Sequence, residues 1–159
     1  MEILTLYIDG ASRGNPGDAG IGVLLLNQDG DAVGQVSEYI GKATNNVAEY
    51  QALIAGLKEA KSFSIRQKQT YGLVVRTDSE LIAKQLTGHF RVRDKKLIPL
   101  SLRAMNLLKS FGTWKFVHVS RRENRRADNL ANLAIDGAIE ERSRAKPGDG
   151  EGTPPLRRV

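Results

Sequence analysis

The chain has 159 residues, of which 40% are hydrophobic and 26% charged, with a net charge of +6 at pH 7 and no cysteine. This length suits one ordinary domain with a buried core, and the missing cysteine excludes disulfides and thiolate metal sites. The first residues lack a basic leader, and no apolar run approaches the ~20 residues of a membrane span, so we expect a cytoplasmic protein without a membrane partner.

Apolar runs bounded by turn residues predict five strands, and helical spacing of apolar residues predicts four helices. The predicted strands are 2–9, 20–27, 32–41, 71–77 and 114–119. The predicted helices are 46–61, 79–87, 95–110 and 125–138. The order βββαβααβα is an α/β pattern.

This order of elements is expected to bring four carboxylates to one edge of the sheet. Short turns make the first three strands antiparallel, and a right-handed crossover through the first helix makes the fourth strand parallel to the first. Asp9 ends the first strand, Glu49 lies in the first turn of the first predicted helix, and Asp78 ends the fourth strand. If the fifth strand is also parallel, Asp128 in the first turn of the last helix joins them at the carboxyl edge, where open α/β sheets bind ligands.

The C-terminal residues differ in composition from the rest. Residues 140–159 contain three Gly and three Pro with few large apolar side chains. Such a composition cannot offset the entropy of ordering. We therefore predict a domain over 1–139 and a disordered tail over 140–159.

Charge is divided unevenly along the chain. Residues 84–126 contain twelve Lys and Arg against two acids, whereas residues 1–83 contain seven basic and ten acidic side chains. A basic stripe is often only a solvated face, but at this density it is also typical of a phosphate-backbone partner. The candidate contacts are Arg91, Arg93, Lys95 and Lys96.

Three of the carboxylates have ordinary structural alternatives. Asp9 opens a glycine-rich turn, where Asp commonly accepts local backbone hydrogen bonds. Asp78 is placed to cap the following helix, and Asp128 could form an exposed helical ion pair with Arg125.

Glu49 is harder to explain structurally, because its helix is apolar around most of its circumference. Its neighbours at the next turn, Ala52 and Leu53, offer no opposite charge, and a capping box with Asn46 would satisfy the carboxylate only partly. Divalent cations between the carboxylates would relieve their mutual repulsion. Oxygen ligands favour Mg²⁺ or Mn²⁺ over zinc, for which His89 and His118 are too few and too separated.

Four segments carry a family resemblance: 7–17, 44–53, 76–79 and 126–131. Their sequences YIDGASRGNPG, TNNVAEYQAL, RTDS and RADNLA resemble, in order, the signature blocks of type 1 ribonuclease H. The resemblance covers about residues 1–137. It implies a ribonuclease H-like fold, a five-stranded mixed sheet with three antiparallel and then parallel strands, flanked by helices. It also implies two Mg²⁺ ions, which Mn²⁺ can replace, and hydrolysis of the RNA strand of an RNA–DNA hybrid to 5′-phosphate and 3′-hydroxyl ends.

The resemblance also implies roles for individual positions. The metal site would comprise Asp9, Glu49, Asp78 and Asp128, which are the catalytic residues, together with Gly10. The hybrid would be contacted by Asn15, Thr44, Asn45, Asn46 and Ser79. The hybrid is the expected partner; we expect a monomer that needs no other protein.

The chain departs from many relatives in two places. The loop before Asp128 is short and lacks the His that relatives carry there, so Arg121, Arg122 or the strand residue His118 is expected to assist product release. Residues 88–96 stand where larger relatives insert a basic protrusion. Two alternatives stay open: an enzyme of the same fold acting on another nucleic acid, such as double-stranded RNA, and a non-catalytic RNA-binding module.

Overall fold

The computed structural model describes residues 1–145. The strands are β1 (Ile3–Gly14), β2 (Gly17–Leu26), β3 (Ala32–Ala43), β4 (Gly72–Thr77) and β5 (Thr113–His118). The helices are α1 (Asn45–Gln67), α2 (Glu80–Leu86), α3 (Ile98–Leu108) and α4 (Arg125–Arg144). The predicted order of elements is confirmed.

The five strands form one mixed sheet in the order β3-β2-β1-β4-β5. β1 is antiparallel to β2, and β2 is antiparallel to β3, whereas β4 is parallel to both β1 and β5. This confirms the predicted sheet. The carboxyl ends of β4 and β5 therefore lie at the same edge as the position of Asp9 in β1.

Helices cover both faces of the sheet. α1 and α3 contact each other, and Gly56 of α1 lies against Leu6 and Ile8 of β1. α4 covers the opposite face, where Ala127 meets Gly22 of β2. Because β2 is sandwiched between helices, nearly all of its residues are buried, including Val23 and Leu25 at 0% exposure.

β1 is longer than predicted. The sequence predicted that it ends at residue 9, but it continues to Gly14 and pairs with β2 down to Gly14–Gly17. The glycines and polar residues of this stretch hide the apolar alternation that strand prediction relies on. Backbone pairing with β2, rather than side-chain pattern, makes residues 10–14 a strand.

α1 also runs past its predicted end at residue 61. Its last turns, up to Gln67, are mostly exposed, and their two large apolar residues, Phe63 and Ile65, are too few to show helical spacing. The helix stops at Lys68, which adopts a left-handed conformation with φ 54° and donates its N–H to carbonyls of the last turn.

α4 extends through Arg144, so the predicted start of a disordered tail at residue 140 is wrong for 140–144. Ion pairs tie the C-terminal half of this helix to the sheet: Arg13 bonds Asp136, and Arg142 bonds Asp18. The rest of the predicted tail, 146–159, lies outside the described residues. Among residues 1–145, every helix is too short or too polar to cross a membrane.

Candidate active site

Three of the four predicted carboxylates meet at one edge of the sheet. Asp9, Glu49 and Asp78 each offer a ligand oxygen, and these atoms all lie within 4.8 Å of one another. Asp9 is only 4% exposed, and the other two are half-buried. The convergence follows from topology, because β1, β4 and the start of α1 reach the same edge.

Close packing of β1 against α1 places Glu49. The Gly10 N–H donates to Glu49 Oε1 at 3.0 Å. A Cβ at Gly10 would lie 2.2 Å from the backbone carbon of Ala48, so only glycine allows this approach. The residue after Asp9 therefore orients the second carboxylate of the cluster.

Two details of the sequence interpretation of α1 are wrong. The helix begins at Asn45 with Thr44 as its cap, and Glu49 lies beyond the first turn, which contains no acidic residue. The Thr44 side chain accepts from the Val47 N–H, so the proposed capping box based on Asn46 does not form. Glu49 is satisfied from β1 instead, through Gly10.

Asp78 is not the cap of α2. Ser79 is the N-cap, and its hydroxyl accepts from the Ile82 N–H at 3.2 Å. The Asp78 carboxylate is thereby available to the cluster. On the β5 side, His118 Nε2 lies 3.2 Å from the Asp78 carbonyl oxygen.

Asp128 reaches the site from α4, in the first turn of that helix as predicted. Its carboxyl lies close enough to Asp9 to raise the pKa of that residue, although it is not part of the three-carboxylate group. The ion pairs within residues 1–145 do not include Arg125 with Asp128. Asn132 Nδ2 instead lies 3.2 Å from Asp128 Oδ1.

The cluster is electrostatically strained without a cation. Burial, followed by the charge of Glu49 and the neighbouring Asp128 carboxyl, raises the pKa of Asp9 to about 10. Burial and the charge of Asp78 raise the pKa of Glu49 to about 8. A divalent cation would stabilise the ionised forms, so the donor set fits a hard cation that prefers oxygen ligands.

The predicted substrate-contacting residues lie along the start of α1 and the start of α2. Asn15 Oδ1 accepts from the Asn45 N–H at 3.0 Å, which ties the β1–β2 turn to α1. Asn45 and Asn46 are exposed, and the hydroxyls of Thr44 and Ser79 cap their helices. Asn15, Thr44 and Ser79 therefore each make a structural bond, at the β1–β2 turn or as a helix cap, and they lie next to elements that carry the cluster.

The turn between β5 and α4 carries the arginines considered for product release. Arg121 and Arg122 are both exposed, and Arg121 lies close enough to Glu49 for its charge to oppose the rise in the pKa of that carboxyl. Ser120 and Glu123 close this turn reciprocally, since each backbone N–H donates to the other side chain. The Ser-x-x-Glu spacing is a capping-box signature that sequence reasoning missed.

Sequence reasoning also missed Asn124, which is fully buried at the start of α4. Its side chain donates to the carbonyl of Ile8, the residue before Asp9. An asparagine within an arginine-rich loop gives no apolar signal of burial.

Comparison with known proteins identifies relatives over most of the chain. The family model described as "Reverse transcriptase-like" matches residues 7–134. Ribonuclease HI of Halobacterium salinarum is 47% identical over 132 residues, which are 83% of this chain and 64% of that protein. A ribonuclease H of Coxiella burnetii is 33% identical and is covered over 97% of its length, with 91% of this chain.

Solved structures agree with these sequence matches. The crystal structure of RNase H1 from Halobacterium salinarum has a TM-score of 0.79 at 45% identity, covering 85% of this chain and 98% of that one. LC11-RNase H1 in complex with an RNA/DNA hybrid has a TM-score of 0.80 at 39% identity, covering 86% and 99%. The chain spans 64% of the halobacterial protein and 36% of the matching mycobacterial proteins. Motifs, fold and relatives agree, and the chain belongs to the type 1 ribonuclease H family.

Proposed function

We propose that this protein is an endonuclease that hydrolyses the RNA strand of RNA–DNA hybrids, leaving 5′-phosphate and 3′-hydroxyl ends. The observation that carries the proposal is the convergence of ligand oxygens of Asp9, Glu49 and Asp78 within 4.8 Å of one another, with the Asp128 carboxyl close enough to raise the pKa of Asp9. The named activity of the relatives, and the hybrid bound to LC11-RNase H1, support this substrate class.

Magnesium is the proposed cofactor, as two ions that Mn²⁺ can replace. Asp9, Glu49, Asp78 and Asp128 would hold the ions, with the Gly10 N–H fixing the Glu49 carboxylate. When bound, such ions supply an activated water and stabilise the leaving oxygen of an in-line displacement at phosphorus. The raised pKa values of Asp9 and Glu49 indicate that ionising both carboxyls costs free energy in the folded protein, and cation binding would offset this cost.

The residues around the cluster would position the substrate. Asn15, Asn45 and Asn46 are proposed to face the minor groove, where amides can bond 2′-hydroxyls and so distinguish RNA from DNA. Thr44 and Ser79 use their hydroxyl oxygens as helix caps, which leaves the hydroxyl hydrogens free to donate to a phosphate oxygen. The exposed basic residues that follow α2 would contact the phosphate backbone further from the cut.

A cleavage assay with three substrates tests the proposal. The purified protein is incubated in Mg²⁺ with an RNA–DNA hybrid, duplex RNA or duplex DNA of the same sequence, and the product ends are mapped. We expect cleavage of the RNA strand of the hybrid, and none in excess EDTA. Faster cleavage of duplex RNA would assign the activity to that substrate, and cleavage of none would leave a non-catalytic RNA-binding module.

A further inference from the structure

Asn124 joins three parts of the candidate active site. Its side-chain Nδ2 donates to the Ile8 carbonyl at 2.8 Å, immediately before Asp9 on β1. Its backbone N–H bonds the carbonyls of Ser120 and Arg121 in the preceding turn. It is fully buried, so these bonds form away from solvent.

The main chain of Asn124 extends the connection to α4. The Asp128 N–H donates to the Asn124 carbonyl at 3.1 Å. This hydrogen bond fixes the backbone of Asp128 at the start of α4. The backbone beside Asp9 and the backbone of Asp128 are therefore both held by Asn124.

The side-chain amide of Asn124 contributes little to the stability of the fold. Its Oδ1 is buried and has no hydrogen-bond partner among the described residues. Although Asn124 occupies the N-cap position of α4, its side chain makes no capping bond. A buried acceptor without a partner costs about 1–3 kcal/mol, which offsets the stability gained from the single bond to Ile8. The presence of Asn124 is therefore not explained by fold stability.

We infer that Asn124 is a positioning residue, which sets Asp128 against Asp9 so that both can serve one cation site. The inference rests on the proposed function. It predicts that removing the Nδ2–Ile8 bond displaces the start of α4 and weakens cation binding more than it weakens the fold. Outer residues that orient metal ligands typically change affinity or activity by about 10- to 100-fold.

The test compares Asn124→Ala with Ser37→Ala in the full chain. Ser37 is the matched control because its hydroxyl also anchors α4 to the sheet, by donating to the Leu130 carbonyl at 2.6 Å, but from β3, two strands away from the strand that carries Asp9. For each protein, the Mg²⁺ concentration that gives half of the full rise in melting temperature is measured in the absence of substrate. The rate and KM of hybrid cleavage are measured separately.

Asn124→Ala should raise the half-effective Mg²⁺ concentration by about 10-fold or more and lower kcat with little change in KM, while Ser37→Ala keeps both near wild type. If Asn124→Ala folds poorly, Asn124→Ser replaces it in the same measurements. In an Asp128→Asn background, the Asn124 substitution should add little further loss of Mg²⁺ response, because it acts through Asp128.

Equal Mg²⁺ responses of the Asn124 and Ser37 variants would overturn the inference, as would additive losses in the Asp128→Asn background. The Mg²⁺ response needs no cleavage. If the wild type fails to cut the hybrid but its Mg²⁺ response depends on Asn124 as described, the proposed function fails and the positioning role stands.

Discussion

Gly22 of β2 lies directly beneath Ala127 of α4. A Cβ at Gly22 would lie 2.0 Å from the Ala127 carbonyl oxygen. Gly22 is also the strand partner of Asp9, and Ala127 precedes Asp128. The missing side chain therefore allows α4 to approach β2 closely enough to place the Asp128 carboxyl beside Asp9.

Gly22→Ala should push the start of α4 away from the sheet. We expect a lower melting temperature and a loss of Mg²⁺-dependent cleavage at temperatures where the protein is still folded. Gly137→Ala is the matched control, since a Cβ there meets nothing within 4 Å and alanine favours a helix by roughly 0.5–1 kcal/mol. Unchanged activity in Gly22→Ala would show that the close approach is not needed.

Stability without metal should fall as pH rises. The pKa values of Asp9 and Glu49 are raised in the folded protein to about 10 and about 8, above their ordinary values near 4. Their contribution to stability is therefore fully present below about pH 4 and is lost as pH increases through the folded values. Melting temperature measured in EDTA from pH 5 to 9 should decrease, and Mg²⁺ should restore it most at the higher pH.

Asp9→Asn provides the control for this titration. Because it removes one of the two groups with raised pKa values, its melting temperature in EDTA should depend less on pH than that of the wild type. A decrease of the same size in both proteins would mean that other groups cause the pH dependence.

Binding of an uncleavable hybrid should weaken steeply with salt, because Lys and Arg release counterions from phosphates. Arg91, Arg93, Lys95 and Lys96 are exposed between α2 and α3. Replacing all four with Ala should weaken binding and make the slope of log K against log salt shallower, by about 0.7–0.9 for each phosphate that the variant no longer neutralises. An unchanged affinity and slope would make this segment an ordinary solvated surface.

Product release should depend on Arg121 or Arg122, because a guanidinium can hold a departing phosphate with two hydrogen bonds. Alanine at the critical position should lower multiple-turnover kcat more than the single-turnover rate. His118→Ala is the comparison, since its ring already contacts the Asp78 carbonyl. If His118→Ala slows multiple turnover and neither arginine variant does, product release depends on His118 of β5 instead.

Much of this structure could be predicted from the sequence wherever apolar side chains follow a clear periodic pattern. Apolar runs and short turns predicted the order of the nine elements found within residues 1–145, and topology brought Asp9, Glu49 and Asp78 together as expected. The extension of β1 past Asp9 and of α4 through Arg144 depends on backbone pairing and surface ion pairs, which leave no periodic apolar signal. Helix caps depend on local geometry, which is why Ser79 rather than Asp78 caps α2.

Asn124 and Gly22 show a second limit of sequence reasoning. Their importance comes from the identity of the backbone atoms opposite them, the carbonyl oxygens of Ile8 and Ala127, which are distant in sequence. A single sequence does not contain that pairing.

Asp78→Asn is the substitution that tests the cation site without changing the size of a side chain. This substitution removes a metal-ligating charge and relieves carboxylate repulsion without changing size, so the protein should stay folded and melt no lower than wild type in EDTA. Cleavage of the RNA strand of a hybrid in Mg²⁺ is measured for both proteins, with folding checked by circular dichroism. The prediction is that Asp78→Asn is folded and inactive; near-normal cleavage by the folded variant would contradict it.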